Sequence, residues 1–215
     1  METITQNWWL IFMVCFTIVL LTTLLLSKIA TGFFVEKDGR RSFSVFDLEF
    51  PASENQLNKL LFFSTSDTRK QLRKHLWIDF IFMPAAYIGI ALLCYKASMK
   101  MEFVGKYVFL VLAALQALPW LFDIIENIYL FNKLSKAKEM QNNVADSRSF
   151  NTFQLLVKAK FAIAFTGLVC AVFGLFYFWL MGAFSKGSLI YLAVLFAEIL
   201  LFLWLSSKKA KVAVA

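Results

Sequence analysis

The sequence predicts an all-α integral membrane protein, a helical bundle with five transmembrane helices and one long cytosolic loop. Three observations carry that expectation. Apolar residues make up 60% of the chain, 25 of them Phe, and they come in blocks rather than alternating with polar ones, as in chains whose solvent is lipid. Five blocks, at residues 8–26, 76–97, 107–131, 161–184 and 189–205, reach or approach the roughly 20 residues that a helix needs to cross a bilayer. The basic residues collect between these blocks, and one domain, residues 1–215, accounts for the whole pattern.

The distribution of charge sets an orientation. With the N-terminus outside, the inner side receives nine Lys and Arg between Lys28 and Lys74, five more among Lys133, Lys136, Lys138, Arg148 and Lys158, and Lys208, Lys209 and Lys211 in the tail. The outer side keeps only Lys96, Lys100, Lys106 and Lys186. Positive residues flank spans on the cytoplasmic face, so the chain is expected N-out and C-in, multi-pass in a bacterial inner membrane. The net charge of +8 is then a topology signal. It does not mark a nucleic-acid binder, because no aromatic-interleaved basic patch accompanies it.

Taken in order, the first span reads as retained rather than cleaved. Residues 1–7 carry Glu2 and no Lys or Arg, and the apolar run exceeds a signal peptide's core. Trp8 and Trp9 suit the outer aromatic belt. Cys15, Cys94 and Cys170 are odd in number, fall within spans and read as small apolar packing residues.

The loop at 28–75 opens with a hairpin signal, Asp38-Gly39 between segments 33–37 and 41–46. Ser53 then caps a short helix to about Phe63, with Leu57, Leu60, Leu61 and Phe63 on its apolar side. Being too short to span, it is expected at the cytosolic interface. A second capping signal, Ser64-Thr65-Ser66-Asp67, starts a helix that runs into the second span. Arg69, Lys70, Arg73 and Lys74 precede that span, either as ordinary anchors or as a contact for anionic lipid headgroups, which attract such residues by about 1 kcal/mol each. Pro84 and Pro119 interrupt the second and third spans and free the carbonyls of Phe80 and Leu115.

Ionisable residues inside the spans need a separate reason. A charge at the centre of a spanning helix costs roughly 2.5–3.5 kcal/mol, so such residues are usually turned inward and paired. With a rise of 1.5 Å per residue, Asp79 falls about 5 Å from the inner boundary, Glu126 about 8 Å, and Asp123 and Glu198 about 12 Å. Lys160 stands at that boundary. All five therefore belong to the cytosolic half of the membrane. Asp123, Glu126 and Asn127 share one helix face. Lys160 continues a seam of small residues, Ala164, Gly167, Ala171 and Gly174, that suits close helix approach. On the fifth span Tyr191 and Glu198 are seven apart and nearly superimposed.

The expected site is a cytosol-facing pocket lined by Asp79, Asp123, Glu126, Asn127, Lys160 and Glu198. Four ionised carboxylates around one lysine would leave three uncompensated charges. Either some carboxyls hold protons, or Lys158, Arg73, His75, a bound metal or a cationic ligand compensates. Three functions fit: binding or passing a small cation, proton or lipid headgroup; lipid modification with Asp123 and Glu126 as acid–base or metal ligands; or a structural or regulatory role. The partners implied are the bilayer, with anionic lipid, and a protein partner or a second copy. One histidine, His75, is too few for a multi-histidine zinc or di-iron centre. There is no phosphate-cradling GxxxxGK[ST], no GxSxG turn and no internal repeat. The sequence identifies no cofactor and no catalytic residue.

Phe46-Asp47-Leu48-Glu49-Phe50, Ser53-Glu54, Asp79-Phe80-x-Phe82 with Tyr87, Leu118-Pro119-Trp120, Asp123-x-x-Glu126-Asn127 and Lys160-Phe161 cover about residues 45–165. In this combination the chain resembles a family of uncharacterised bacterial multi-pass integral membrane proteins. The resemblance implies the architecture and the polar pocket, and no reaction. It also brings in Asp47 and Glu49. Their neighbours Phe46, Leu48 and Phe50 would dock that segment beneath the bundle as a lid, or the segment is a surface turn of alternating polarity.

Overall fold

Long apolar runs become long helices because a helix satisfies every backbone N–H and C=O within its own segment. The computed structural model describes residues 2–36, 41–136, 147–184 and 188–212. Its elements are α1 (Glu2–Ala30), β1 (Phe34–Val35), β2 (Arg41–Ser42), α2 (Val45–Glu49), α3 (Glu54–Phe62), α4 (Ser66–Ser98), α5 (Phe103–Leu115), α6 (Ala117–Ser135), α7 (Ser147–Leu180) and α8 (Ser188–Val212). Among the described residues four helical stretches are long and apolar enough to cross a membrane: Asn7–Ala30, Ser66–Ser98, Phe103–Ser135 and Ser149–Leu180. Within α8 the apolar stretch is shorter, Ala193–Ser206. No more than 22% of the most apolar window of any of the four is buried. Side chains such as Phe165, Phe173 and Leu180 therefore point outward, and continuous apolar surface of this kind fits a membrane protein.

Two helix ends differ from the hydropathy reading. The fourth apolar run was expected at 161–184, yet α7 starts at Ser147 and stops at Leu180. Its early turns are amphipathic: Phe150, Phe153 and Val157 are buried at helical spacing, while the polar residues between them lower the local hydropathy. Its end is set by Gly182, at φ 71°, a left-handed conformation that glycine adopts without steric cost. The third run is divided at Gln116 into α5 and α6. Pro119 denies Leu115 its usual donor and crowds that carbonyl, and Gln116 Nε2 turns back to donate to Leu112 O at 3.2 Å. Pro84, by contrast, lies inside an uninterrupted α4.

Both capping signals operate. Ser53 Oγ accepts from Gln56 N at 3.2 Å at the start of α3, and Thr65 Oγ1 accepts from Thr68 N at 3.0 Å at the start of α4. Each satisfies one of the donors that a helix N-terminus leaves open. Strands β1 and β2 pair antiparallel, with Phe34 opposite Ser42. The Asp38-Gly39 turn between them lies outside the described residues, as do Lys37, Arg40, Lys138 and Lys186.

The chain packs as two compact units. One comprises residues 1–24, 84–116 and 164–215. Its core is small and built on small residues, with Cys94, Ala97, Phe109 and Ala171 buried together and Gly167 placed against Gln116 and Ile90. The other comprises residues 25–83 and 117–163. Its larger core gathers Phe33, Leu48, Leu57, Leu61, Leu72, Leu130 and Val157, and Thr68, fully buried, ties β1 to α4 by accepting from Phe34 N at 3.1 Å and donating toward Gly32 O.

Candidate functional site

The polar network lies within the second of these units and is built on four helices. On α6 the buried positions Asp123, Glu126, Asn127, Leu130 and Leu134 form one stripe. Its apolar end joins the unit's core, and its polar end is left to find partners. Lys160 of α7 supplies them. Its Nζ donates to Asp123 Oδ1 at 2.6 Å and stands 2.5 Å from Glu126 Oε2 as a charge contact. Glu49 Oε1, from α2, is the third carboxylate oxygen near it, at 3.7 Å. From α4, Asp79 Oδ2 accepts from Asn127 Nδ2 at 2.9 Å. Asp123, Glu126, Asn127 and Lys160 are each no more than 5% exposed. Such burial costs several kcal/mol per ion unless the charges meet at close range, and here they do.

Glu49 is held in place by its neighbours along the chain. Leu48 is buried in the core, Phe50 packs on Phe161 with ring centroids 5.4 Å apart, and Pro51 O accepts from Gln154 Nε2 at 3.3 Å. Residues 49–51 are therefore docked on α7 through three successive contacts, to Lys160, Phe161 and Gln154. Asp47 is not one of them. It is exposed, and its Oδ2 accepts from Ser44 N at 2.7 Å and from Ser44 Oγ at 2.9 Å, closing a capping box at the start of α2. Of the two acids in the suggested lid, only Glu49 reaches the network. Burial pushes its carboxyl above the ordinary value of 4.5; Lys160 pulls it back down, and Asp79 and Asp123 push it further up.

Beside the network lies a cavity of about 30 Å³, walled by Glu49, His75, Asp79, Glu126, Asn127 and apolar side chains from α2, α3, α4 and α6. A cavity of this size admits a water or an ion of similar radius. Among the described residues, no group of three His, Cys, Asp or Glu side chains is arranged to hold a metal ion. The Lys160 ammonium occupies the point where Glu49, Asp123 and Glu126 converge, and so serves as the network's own tethered cation.

The remaining sequence-predicted residues stand elsewhere. Glu198 belongs to the other unit, where its Oε1 accepts from Thr17 Oγ1 at 3.1 Å. Arg69 lines an open polar groove of about 760 Å³ with Ser64, Thr65 and Gln71. Lys70 pairs loosely with Asp67 at 3.9 Å, and Arg73 and Lys74 are exposed.

A second ion pair had no sequence signal: buried Glu54 meets half-buried Lys133 at 2.6 Å, and Lys133 also donates to Asn58 Oδ1 at 3.3 Å. Glu54 enters the sequence reading only in the Ser53-Glu54 pair, and nothing in the sequence joins it to a residue 79 positions on. His75 was expected only as one of several groups that could compensate the carboxylates. It is buried, lines the cavity and meets Phe33 edge-on at 5.7 Å. Its position on the α4 face shared with Leu72, Leu76 and Asp79 was the available signal. Comparison with known protein families, with curated proteins and with solved structures finds no match to this chain.

Proposed function

We propose that the chain is a five-span protein of a bacterial inner membrane, N-out and C-in, of the multi-pass family it resembles, and that it binds or passes a proton or a small monovalent cation beside Lys160. The observation that carries this reading is the cavity of about 30 Å³ with Glu49, Asp79 and Glu126 in its wall. Three carboxylates bordering a space the size of a water favour a positively charged occupant of that size. A lipid headgroup is too large for it. The enzymatic reading fits less well, because Lys160 already engages both Asp123 and Glu126 and leaves neither open as a base. Asp79 and Glu49 are the residues that exchange the occupant. Asp79 has a neutral partner in Asn127, and Glu49 is the most distant of the three carboxylates that contact the ammonium.

Proteoliposomes loaded with a pH-sensitive dye test this directly, with Na⁺ and K⁺ gradients as separate arms. Wild type is expected to move protons or one of the cations, and Asp79→Asn to abolish the movement while helicity and thermal stability persist. Calorimetry of detergent-solubilised protein against the same ions reads binding without transport. The proposal fails if wild type shows neither flux nor ion- or proton-linked heat. A structural network would give that blank result together with a large loss of stability on breaking the Lys160 contacts.

A further inference from the structure

The unit made of residues 1–24, 84–116 and 164–215 holds a second cavity of very different chemistry. It is a half-open cavity of about 490 Å³, within the roughly 300–1,000 Å³ of small-molecule sites, and its wall is apolar, with Trp8, Trp9, Phe12, Phe176 and Trp179 prominent. The aromatic wall is organised: Trp9 stacks on Tyr191 at 5.0 Å, and Trp8 lies tilted against Trp9 with ring centroids 4.0 Å apart. A wall with almost no polar groups gives water little to bond and suits hydrocarbon instead.

Two cations stand at its rim. Lys96 Nζ lies 4.6 Å from the centroid of Trp8. Lys100 Nζ lies 5.2 Å from the ring of Phe184 and donates to Ala183 O at 2.8 Å. Trp8 and Phe184 both line the cavity. Among the described residues, neither ammonium is paired with a carboxylate. An apolar chamber beside two uncompensated ammoniums matches an amphiphile with a hydrocarbon tail and an anionic head. We infer that this cavity is a binding site for one anionic phospholipid, its acyl chain among the tryptophans and its phosphate between Lys96 and Lys100. The site is separate from the carboxylate network and depends only on the chain lying in a membrane.

Native mass spectrometry of the full chain, delipidated in mild detergent and offered phosphatidylglycerol or phosphatidylethanolamine of identical chains, tests the assignment. Wild type is expected to retain one phosphatidylglycerol, with a preference of roughly tenfold or more from two ammoniums at a phosphate. The Lys96→Gln/Lys100→Gln variant is expected to retain both lipids to within about twofold. Leu175→Trp, which fills the chamber from α7, should lose both; Ile199→Phe does the same from α8 if the first variant fails to fold. Equal retention of the two lipids by wild type overturns the proposal without recourse to any variant. So does retention of free fatty acid, or of a second copy of the chain, in place of phospholipid.

Discussion

Replacing Lys160 with Met removes the ammonium while keeping most of the side chain's length. Its Nζ is in contact with Asp123 at 2.6 Å, Glu126 at 2.5 Å and Glu49 at 3.7 Å. At an effective dielectric near 20, each of the two short contacts has a gross Coulomb energy on the order of 6 kcal/mol. Desolvation of all the groups offsets most of that. Removing one partner of a buried pair nets about 3–5 kcal/mol, because the opposite charges stay buried without compensation. Against the 5–15 kcal/mol of a typical domain this is a large share. For a protein of this size it corresponds to a fall in Tm of about 6–20 °C.

The assay is thermal unfolding in detergent, read by tryptophan fluorescence and by loss of the monodisperse chromatographic peak. Neutralising the partners should rescue the protein. In Lys160→Met/Asp123→Asn/Glu126→Gln the two carboxylates closest to position 160 are neutral along with it and only the more distant Glu49 keeps its charge, so most of the lost stability should return. A Lys160→Met protein as stable as wild type would refute the reasoning, since the three contacts would then be worth nothing. A triple variant no better than the single one would refute it differently, by showing that the ammonium's packing and not its charge carried the effect.

Glu49 makes stability depend on pH with a definite sign. Its folded carboxyl binds a proton more tightly than the unfolded one, so its contribution is greatest below the ordinary carboxylate value of 4.5 and falls as pH rises through the elevated folded value. Glu49→Gln should flatten that fall, giving a smaller Tm difference between pH 4 and pH 8 than wild type shows; an unchanged slope would remove Glu49 from the account. At Gly167, helix propensity alone favours Ala by about 1 kcal/mol, but a Cβ there would lie 2.3 Å from Gln116 Nε2 and 3.3 Å from Ile90 Cγ2. Overpacking of this kind costs about 1–3 kcal/mol, so Gly167→Ala is expected to lower Tm, and a rise would show that the Gln116 amide swings clear.

Much of the local structure was legible because it depends on short-range chemistry. Ser53 and Thr65 announce helix starts through hydroxyls that reach only a turn ahead, and Pro119 announces a break through a donor it lacks. The start of α7 was missed because hydropathy averages over a window. The buried Phe150, Phe153 and Val157 alternate there with polar residues, and such a stripe is recognisable only by its period. Asp47 shows the same short-range chemistry. Its own helix claims the carboxylate through Ser44, and a capping box three residues wide outcompetes a distant lysine because closing it orders little additional chain.

Composition and periodicity by themselves determined that the chain is helical, where its apolar helices lie, and that Asp123, Glu126 and Asn127 share a face. Each of these follows from the geometry of a single helix. Which acid meets which base was decided only in three dimensions. Depth along a helix could not separate Glu198 from Asp123, yet Glu198 bonds Thr17 while Asp123 bonds Lys160. The docking of residues 49–51 on α7 that delivers Glu49, and the reach of Lys133 to Glu54, likewise come from side-chain packing between segments far apart in the chain. A one-dimensional pattern records how each helix is built. It does not record how far each is rotated about its axis, and that rotation selects the partner of a buried charge.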